Sequence, residues 1–360
     1  MASSKKNNYL ITGGLGFIGS NIAKLLIKQK NVQKCILVDN FGGYINPLRW
    51  TYQDFRKLRF IDIKDKKVTS LIKKKCVFER GDVSDFKTMY SILEKYKPKI
   101  IFHTAGIPVA KIQNPNIGEF RRGSVNTTIN LLDCVDLLQK KNKFKLSRFL
   151  YISSSMVYGD FKKKQAKETD ILNPKDIYGT MKLAGEVIVK GLSKYCKIPY
   201  TIIRPSAVYG PTDMNERVTQ FLLIKAFFSE YSSANKDKLL EIHGKDEKLD
   251  FTHVEDMANG CIKAATKKQG LNNTFNITFG KSRRILSYVK IIGKYFKNLK
   301  YKVIKRNKAS PKRGTLSISK AKKLLNYKPK YSLERGTAKY IEFLKHIDLK
   351  LEGTAKFPNN

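Results

Sequence analysis

Acidic residues are scarce in this 360-residue sequence: 30 Asp and Glu stand against 71 Lys and Arg, a formal net charge of +41. Cysteine is scarce as well. Its five positions (Cys35, Cys76, Cys134, Cys196 and Cys261) are scattered, with no Cys-x-x-Cys pair. That rules out a zinc pattern, and the odd count argues against a disulfide framework, so no metal and a reducing, cytoplasmic setting are expected. There is no run of about 18 apolar residues, which excludes an ordinary membrane-spanning helix. The opening MASSKKNN has no apolar stretch before the first strand and reads as no secretory signal. Internal repeats and low-complexity blocks are absent. The basic residues run along the whole chain without a nucleic-acid-binding motif, so no specific nucleic-acid partner is expected. The excess reads as a bias toward lysine that also favours an anionic ligand such as a diphosphate.

What is present is a core and a rhythm. Hydrophobic residues make up 41% of the chain, enough to bury a sizeable interior. Short apolar runs at Tyr9 to Ile11, Cys35 to Val38, Cys76 to Phe78, Ile100 to His103, Phe149 to Ser153 and Tyr200 to Ile203 read as buried strands. Helical patterns separate them: Ile18, Ile22, Leu25 and Leu26 share one stripe, and Val125 to Leu138 and Met181 to Tyr195 follow. This alternation predicts an α/β, doubly wound parallel sheet. Between Asp39 and Cys76 the rhythm breaks in a long basic and aromatic segment with Tyr44, Trp50, Tyr52, Phe55 and Phe60, which could border a ligand. After Arg204, glycine and proline punctuation begins a smaller C-terminal substrate-binding lobe.

The first strand runs into Gly13-Gly14-Leu15-Gly16-Phe17-Ile18-Gly19. Gly13 permits the tight turn, Gly16 lets the backbone approach a pyrophosphate, and Gly19 lets the helix pack on the sheet. The helix N-terminus adds a partial positive charge. Asp39 ends the second strand, where a carboxylate accepts bonds from both ribose hydroxyls and repels a 2′-phosphate, so NAD is favoured over NADP. The expected dinucleotide domain covers 8–203 plus about 250–278, and the lobe covers 204–249 and 279–350.

The Gly-x-x-Gly-x-x-Gly spacing resembles the extended short-chain dehydrogenase/reductase family, especially its nucleotide-sugar epimerases and dehydratases. The likeness runs by motif order from about residue 8 to about 345. It implies that Asp82 and Val83 of Gly81-Asp82-Val83-Ser84-Asp85 contact the adenine. It also implies that His103, Ala105 and Gly106 line the cofactor, with Phe17, Ile18 and Asn40 in the same site. Tyr178 and Lys182 stand four apart, on one face of a helix. A tyrosine at its reference pKa of about 10 is a poor base, and a nearby ammonium lowers that value. Counting back four from Tyr158, as the family motif does, gives Ser154 as the active hydroxyl. Ser153 then satisfies the strand end, and Ser155 stands beside the substrate. The family's dehydratases place an Asp-Glu pair after that hydroxyl, where this chain has Ser155 and Met156, so loss of water is not expected.

Later segments also resemble the family. Arg204 to Pro211, with Arg204 and Tyr209, resembles the segment that opens the substrate lobe. Leu249 to Asp256 resembles Arg-Asp-Phe-x-x-Val-x-Asp, with Leu249 in place of the arginine; Lys245, Lys248 or Arg313 could compensate. Gly314 falls near the position where hexose-restricted epimerases carry a bulky gate. The resemblance implies a homodimer through helices at about 117–140 and 178–195. The leading reading is NAD-dependent 4-epimerisation of a UDP-hexose or UDP-N-acetylhexosamine through a 4-keto sugar. The alternatives are a net sugar or other alcohol dehydrogenase/reductase and a non-catalytic NAD-binding protein.

Overall fold

The computed structural model describes residues 6–42, 59–60, 66–107, 117–213, 217–231, 239–306 and 311–351. Of the long segment after Asp39, positions 44, 50, 52 and 55 therefore lie outside the described residues.

Seven parallel strands form the central sheet: β1 (Asn7–Thr12), β2 (Val32–Asp39), β3 (Cys76–Arg80), β4 (Ile100–His103), β5 (Arg148–Ile152), β6 (Tyr200–Arg204) and β7 (Asn273–Asn276). They lie in the order β7-β6-β5-β4-β1-β2-β3. The order reverses between β1 and β4, whose register pairs Tyr9 with Ile100 and Thr12 with His103. In a doubly wound sheet that reversal opens a crevice at the carboxyl ends of the strands, where ligands bind.

The inner strands are apolar on both faces because helices cover both. Along β1, Tyr9 and Ile11 face one core and Leu10 the other. The first core is closed by α1 (Phe17–Leu26) through Ile22 and Leu26, and by α2 (Lys66–Lys75) through Val68 and Ile72. The opposite core is closed by α3 (Phe86–Tyr96), α4 (Thr127–Lys140) and α5 (Ile177–Tyr195), through Leu93, Leu131 and Val189. Asp85 caps α3, and Asp176 caps α5 by accepting from Gly179 N at 2.7 Å.

The second body of apolar packing gathers Tyr209, Leu223 and Phe227 from α6 (Val218–Tyr231) and its approach, Tyr288 and Ile292 from a later helix, and Tyr340 near the end. The segments that return to the first body carry α7 (Val254–Thr266), which lies on α1 and fills the first core with Met257 and Cys261. The later helix is α8 (Ile285–Gly293), and Tyr340 belongs to α10 (Leu333–Leu351). Between them, α9 (Ser319–Leu325) falls in the range assigned to the lobe, yet Ala321 and Leu325 pack into the first core. Asp250 ties the returning segments together by accepting from Gly280 N (3.1 Å), Leu316 N (3.1 Å) and Thr278 Oγ1 (3.0 Å). No helix among the described residues is long and apolar enough to cross a membrane.

Candidate active site

The glycine turn folds as it does because Gly13, Gly14, Gly16 and Gly19 leave no room for a side chain. Gly13 takes a φ of 62°, and a Cβ there would lie 2.9 Å from Ala105 N. A Cβ on Gly19 would lie 2.4 Å from Gly13 O. The N-terminus of α1 has no side-chain cap and no acidic residue in its first turn, so its amides and its partial positive charge face the crevice. These are the features a pyrophosphate requires.

The crevice holds about 850 Å³ of space open to solvent. It is lined by Gly13, Gly16, Phe17, Ile18 and Gly19 on one side and by Asp39, Asn40, Asp82, Val83, Ala105 and Gly106 on the others. Asp39 Oδ2 accepts from Leu15 N at 3.1 Å, so the same carboxylate braces the glycine turn. Asn40 Nδ2 donates to Asp82 Oδ2 at 3.2 Å. Burial alone would raise the Asp82 carboxyl, but bonds from Ser84 and Asn40 and the charge of Arg122 leave it below its ordinary value. A dinucleotide with a free 2′-hydroxyl fits these residues: a bare glycine cradle for phosphates and a carboxyl side chain at the end of β2.

At one end of the crevice stand Tyr178, Lys182 and Ser154. Asp176 starts α5 so that Tyr178 and Lys182 face inward in its first two turns. Gly106 brings the crevice to Lys182, because a Cβ there would be 3.3 Å from Nζ. Ser154 ends the strand and caps the short 3₁₀ turn Ser155–Tyr158, accepting from Met156 N at 3.2 Å.

The electrostatics correct one expectation from the four-residue spacing. Burial pushes the Tyr178 hydroxyl above its ordinary value, and the opposing influences are Arg217, a Ser154 hydrogen bond and Arg313. The ammonium of Lys182 is aimed elsewhere, donating to Ile152 O at 3.0 Å and lying 5.9 Å from the Tyr178 ring centre. Burial, reinforced by Arg217, lowers Lys182 to about 8. Arg217 lines the crevice and donates to Val208 O at 3.2 Å. Burial lowers Arg313 to about 10 while Asp176 and Glu247 hold it up. Sequence reasoning missed Arg217, which lies in no motif.

Several expected ligand residues serve packing instead. Arg204 is buried in a two-pronged ion pair with Glu186, its Nε 2.8 Å from Oε1 and its Nη2 2.7 Å from Oε2. Glu186 also accepts from Ser153 Oγ at 2.6 Å, so the Ser153 hydroxyl serves this buried carboxylate rather than backbone groups at the strand end. Tyr209 is wholly buried in the lobe core. His103 does not reach the crevice: it sits between Thr12 Oγ1 (2.8 Å) and Thr128 Oγ1 (3.2 Å), and burial, then the charge of Lys182, lowers it to about 3. Ser155 is buried, with its amide on Pro205 O at 2.8 Å. Leu249 points into the lobe core, so no charge replaces the missing arginine at that position. The described residues contain no group of three His, Cys, Asp or Glu that could hold a metal ion.

Residues 9–278 match the NAD dependent epimerase/dehydratase family. The chain belongs to that family. Its cofactor is NAD. An uncharacterised UDP-glucose epimerase of Bacillus subtilis is similar at 27% identity over 344 residues, 94% of this chain and 98% of that one. The dTDP-D-glucose 4,6-dehydratase of Dictyostelium discoideum is 27% identical over 282 residues, 74% of this chain and 57% of its own. The crystal structure of UDP-glucuronic acid 4-epimerase from Bacillus cereus with UDP-glucuronic acid and NAD matches with a TM-score of 0.80 at 25% identity, covering 94% of this chain and 99% of that one.

Proposed function

We propose that the protein is an NAD-dependent nucleotide-sugar epimerase that inverts carbon 4 of a UDP-hexose or UDP-N-acetylhexosamine. The observation that carries the reading is the meeting of Tyr178 with Ser154 and Lys182, the last beside Gly106 of the crevice, with Ser155 and Met156 where an eliminating acid and base would stand. NAD supplies a reversible hydride acceptor. Tyr178 Oη takes the proton of the sugar hydroxyl and returns it after the 4-keto sugar turns. Ser154 Oγ steadies the oxygen as its charge changes. Lys182 supplies a fixed positive charge beside the ribose, and Arg217 and Arg313 supply it beside the phenol. The relatives named for UDP-sugars support the nucleotide.

Gly314 supports a roomy sugar pocket, since among the described residues only Phe161 Cδ2, at 3.5 Å, lies near the place its Cβ would occupy. Arg217 gives a specific ground for a UDP-uronate as an alternative substrate, because a carboxylate there meets a cation. A homodimer goes with the same reading. Ile129 on α4 and Val187 and Tyr195 on α5 are exposed on the face away from the sheet, at 41%, 63% and 78%. The five cysteines are free thiols, which suits a cytoplasmic location.

The test is proton NMR of the pure protein with a panel of UDP-hexoses, UDP-N-acetylhexosamines and UDP-uronates. The expected outcome is a mixture of two C4 epimers of unchanged mass with no accumulation of NADH. Stoichiometric NADH would make it a dehydrogenase, and a product lighter by one water would make it a dehydratase. Sedimentation of the same preparation should give a dimer mass; a monomer mass would remove that part.

A further inference from the structure

Arg59 has no place in the motifs, yet its side chain is 2% exposed and forms part of the crevice wall. Its guanidinium spans two bodies of the fold. Nη1 donates to Leu15 O at 2.7 Å, inside the glycine turn that cradles the cofactor. Nη2 and Nε donate to Thr212 O at 3.1 and 3.4 Å, in the segment that opens the substrate lobe.

Thr212 is itself unusual. It is a β-branched residue at a φ of 70°, a left-handed conformation that such residues seldom adopt. Its hydroxyl is buried and finds no hydrogen-bond partner among the described residues. The conformation must therefore be held by contacts other than its own side chain, and the paired bonds from Arg59 are of that kind. Further along the chain, Arg217 lines the crevice and is anchored on Val208 O, and its charge acts on Tyr178 and Lys182.

We propose that Arg59 is a positioning residue that couples the two halves of the site, so that filling the cofactor cradle sets the Thr212 segment, and with it Arg217, for the sugar nucleotide. This rests on the NAD and nucleotide-sugar reading above. Pyrophosphate in the cradle fixes the turn that carries the Leu15 carbonyl. Arg59 transmits that fixation because one rigid, planar group holds both carbonyls. A lysine keeps the charge and lacks the fork.

The test is calorimetric titration of UDP into NAD-free and NAD-loaded protein, for the wild type, Arg59→Lys, Arg59→Met and Thr212→Gly. We expect NAD to tighten UDP binding about tenfold in the wild type and no more than about twofold in either Arg59 variant. UDP binding to the NAD-free protein should be nearly the same in all four. Thr212→Gly keeps the carbonyl and the left-handed backbone, so it should retain the coupling while melting no lower. Full coupling in Arg59→Lys would overturn the proposal in favour of simple charge. Equal loss of UDP affinity with and without NAD would overturn it in favour of a purely structural role, as would loss of coupling in Thr212→Gly. Failure of the wild type to bind UDP at all would withdraw the nucleotide-sugar reading itself and this proposal with it.

Discussion

The two halves of the site are built from different materials. The cofactor half is backbone: a turn without side chains at Gly13, Gly16 and Gly19, and the uncapped amides of α1. The half around Tyr178, the proposed sugar half, draws on long charged side chains, Arg217 and Arg313, whose charges act on the phenol from separate segments. A backbone site is encoded within a few neighbouring residues, because only local conformation has to be specified. A side-chain site is encoded by the packing of the whole lobe. Substitutions should accordingly act locally and steeply in the first half, and through geometry in the second.

The largest effect is expected where the halves meet. Tyr178→Phe removes one oxygen and keeps the ring, so kcat should fall by about 10²–10⁴-fold, the range for a positioned acid–base group. NAD affinity should hold. Single-turnover kinetics with a cofactor-binding control measures both, and near-full activity would mean that the proton acceptor lies elsewhere.

Gly19→Ala tests the backbone half. Its Cβ would sit 2.4 Å from Gly13 O, so the turn has to shift. The variant should lose about 1–3 kcal/mol of stability, the usual cost of overpacking, and NAD affinity should drop at least about tenfold. UDP binding to the NAD-free protein should be nearly untouched. Calorimetry decides this, and unchanged NAD affinity would break the comparison.

A smaller effect should appear on acidification. His253 caps α7 and stacks on Tyr331, with ring centres 4.2 Å apart; burial lowers it to about 4, against the pull of Glu255 and with the help of Lys339. His103, behind the cofactor turn, is held lower still. Their folded values lie below the unfolded value near 6.5, so the unfolded chain binds more protons between the two. The stability is present above pH 6.5 and is lost as pH falls through that window, by about 1.4 kcal/mol per unit for each group. Melting temperatures at pH 6.5 and 5.5 should show the slope. His253→Asn, which keeps a capping acceptor, should flatten it only in part, because His103 remains. An unchanged slope would show that His253 is not buried neutral.

The uneven legibility of the sequence follows the same division. Six strands, the glycine turn, Asp39 and the Tyr178–Lys182 spacing were readable because each is a short pattern with a local cause. The strand Asn273–Asn276 was not, since it has only one large apolar residue, Phe275, and joins the sheet edge from far along the chain. Arg204 stands in a motif read as substrate-binding, but Glu186 claims its guanidinium from helix α5. Arg59 meets Thr212 across 153 positions, and no local pattern announces such a pair. The aim of Lys182 at the Ile152 carbonyl is equally a matter of packing.

The edge strand β7 and helix α9 also bear on how the chain is made. The cofactor half needs Phe275 in its sheet and Ala321, Leu325 and Tyr327 in its core, yet the residues that cradle the ligand lie far earlier in the chain. At ribosomal speeds of about 5–20 residues per second, the cradle waits on the order of ten seconds or more for its last supporting layer. During that time the lobe segment 205–249 has already emerged between them. The nascent chain therefore holds an unfinished nucleotide site until α9 has emerged, and a truncation before α9 that keeps every glycine of the turn still removes part of the floor beneath it.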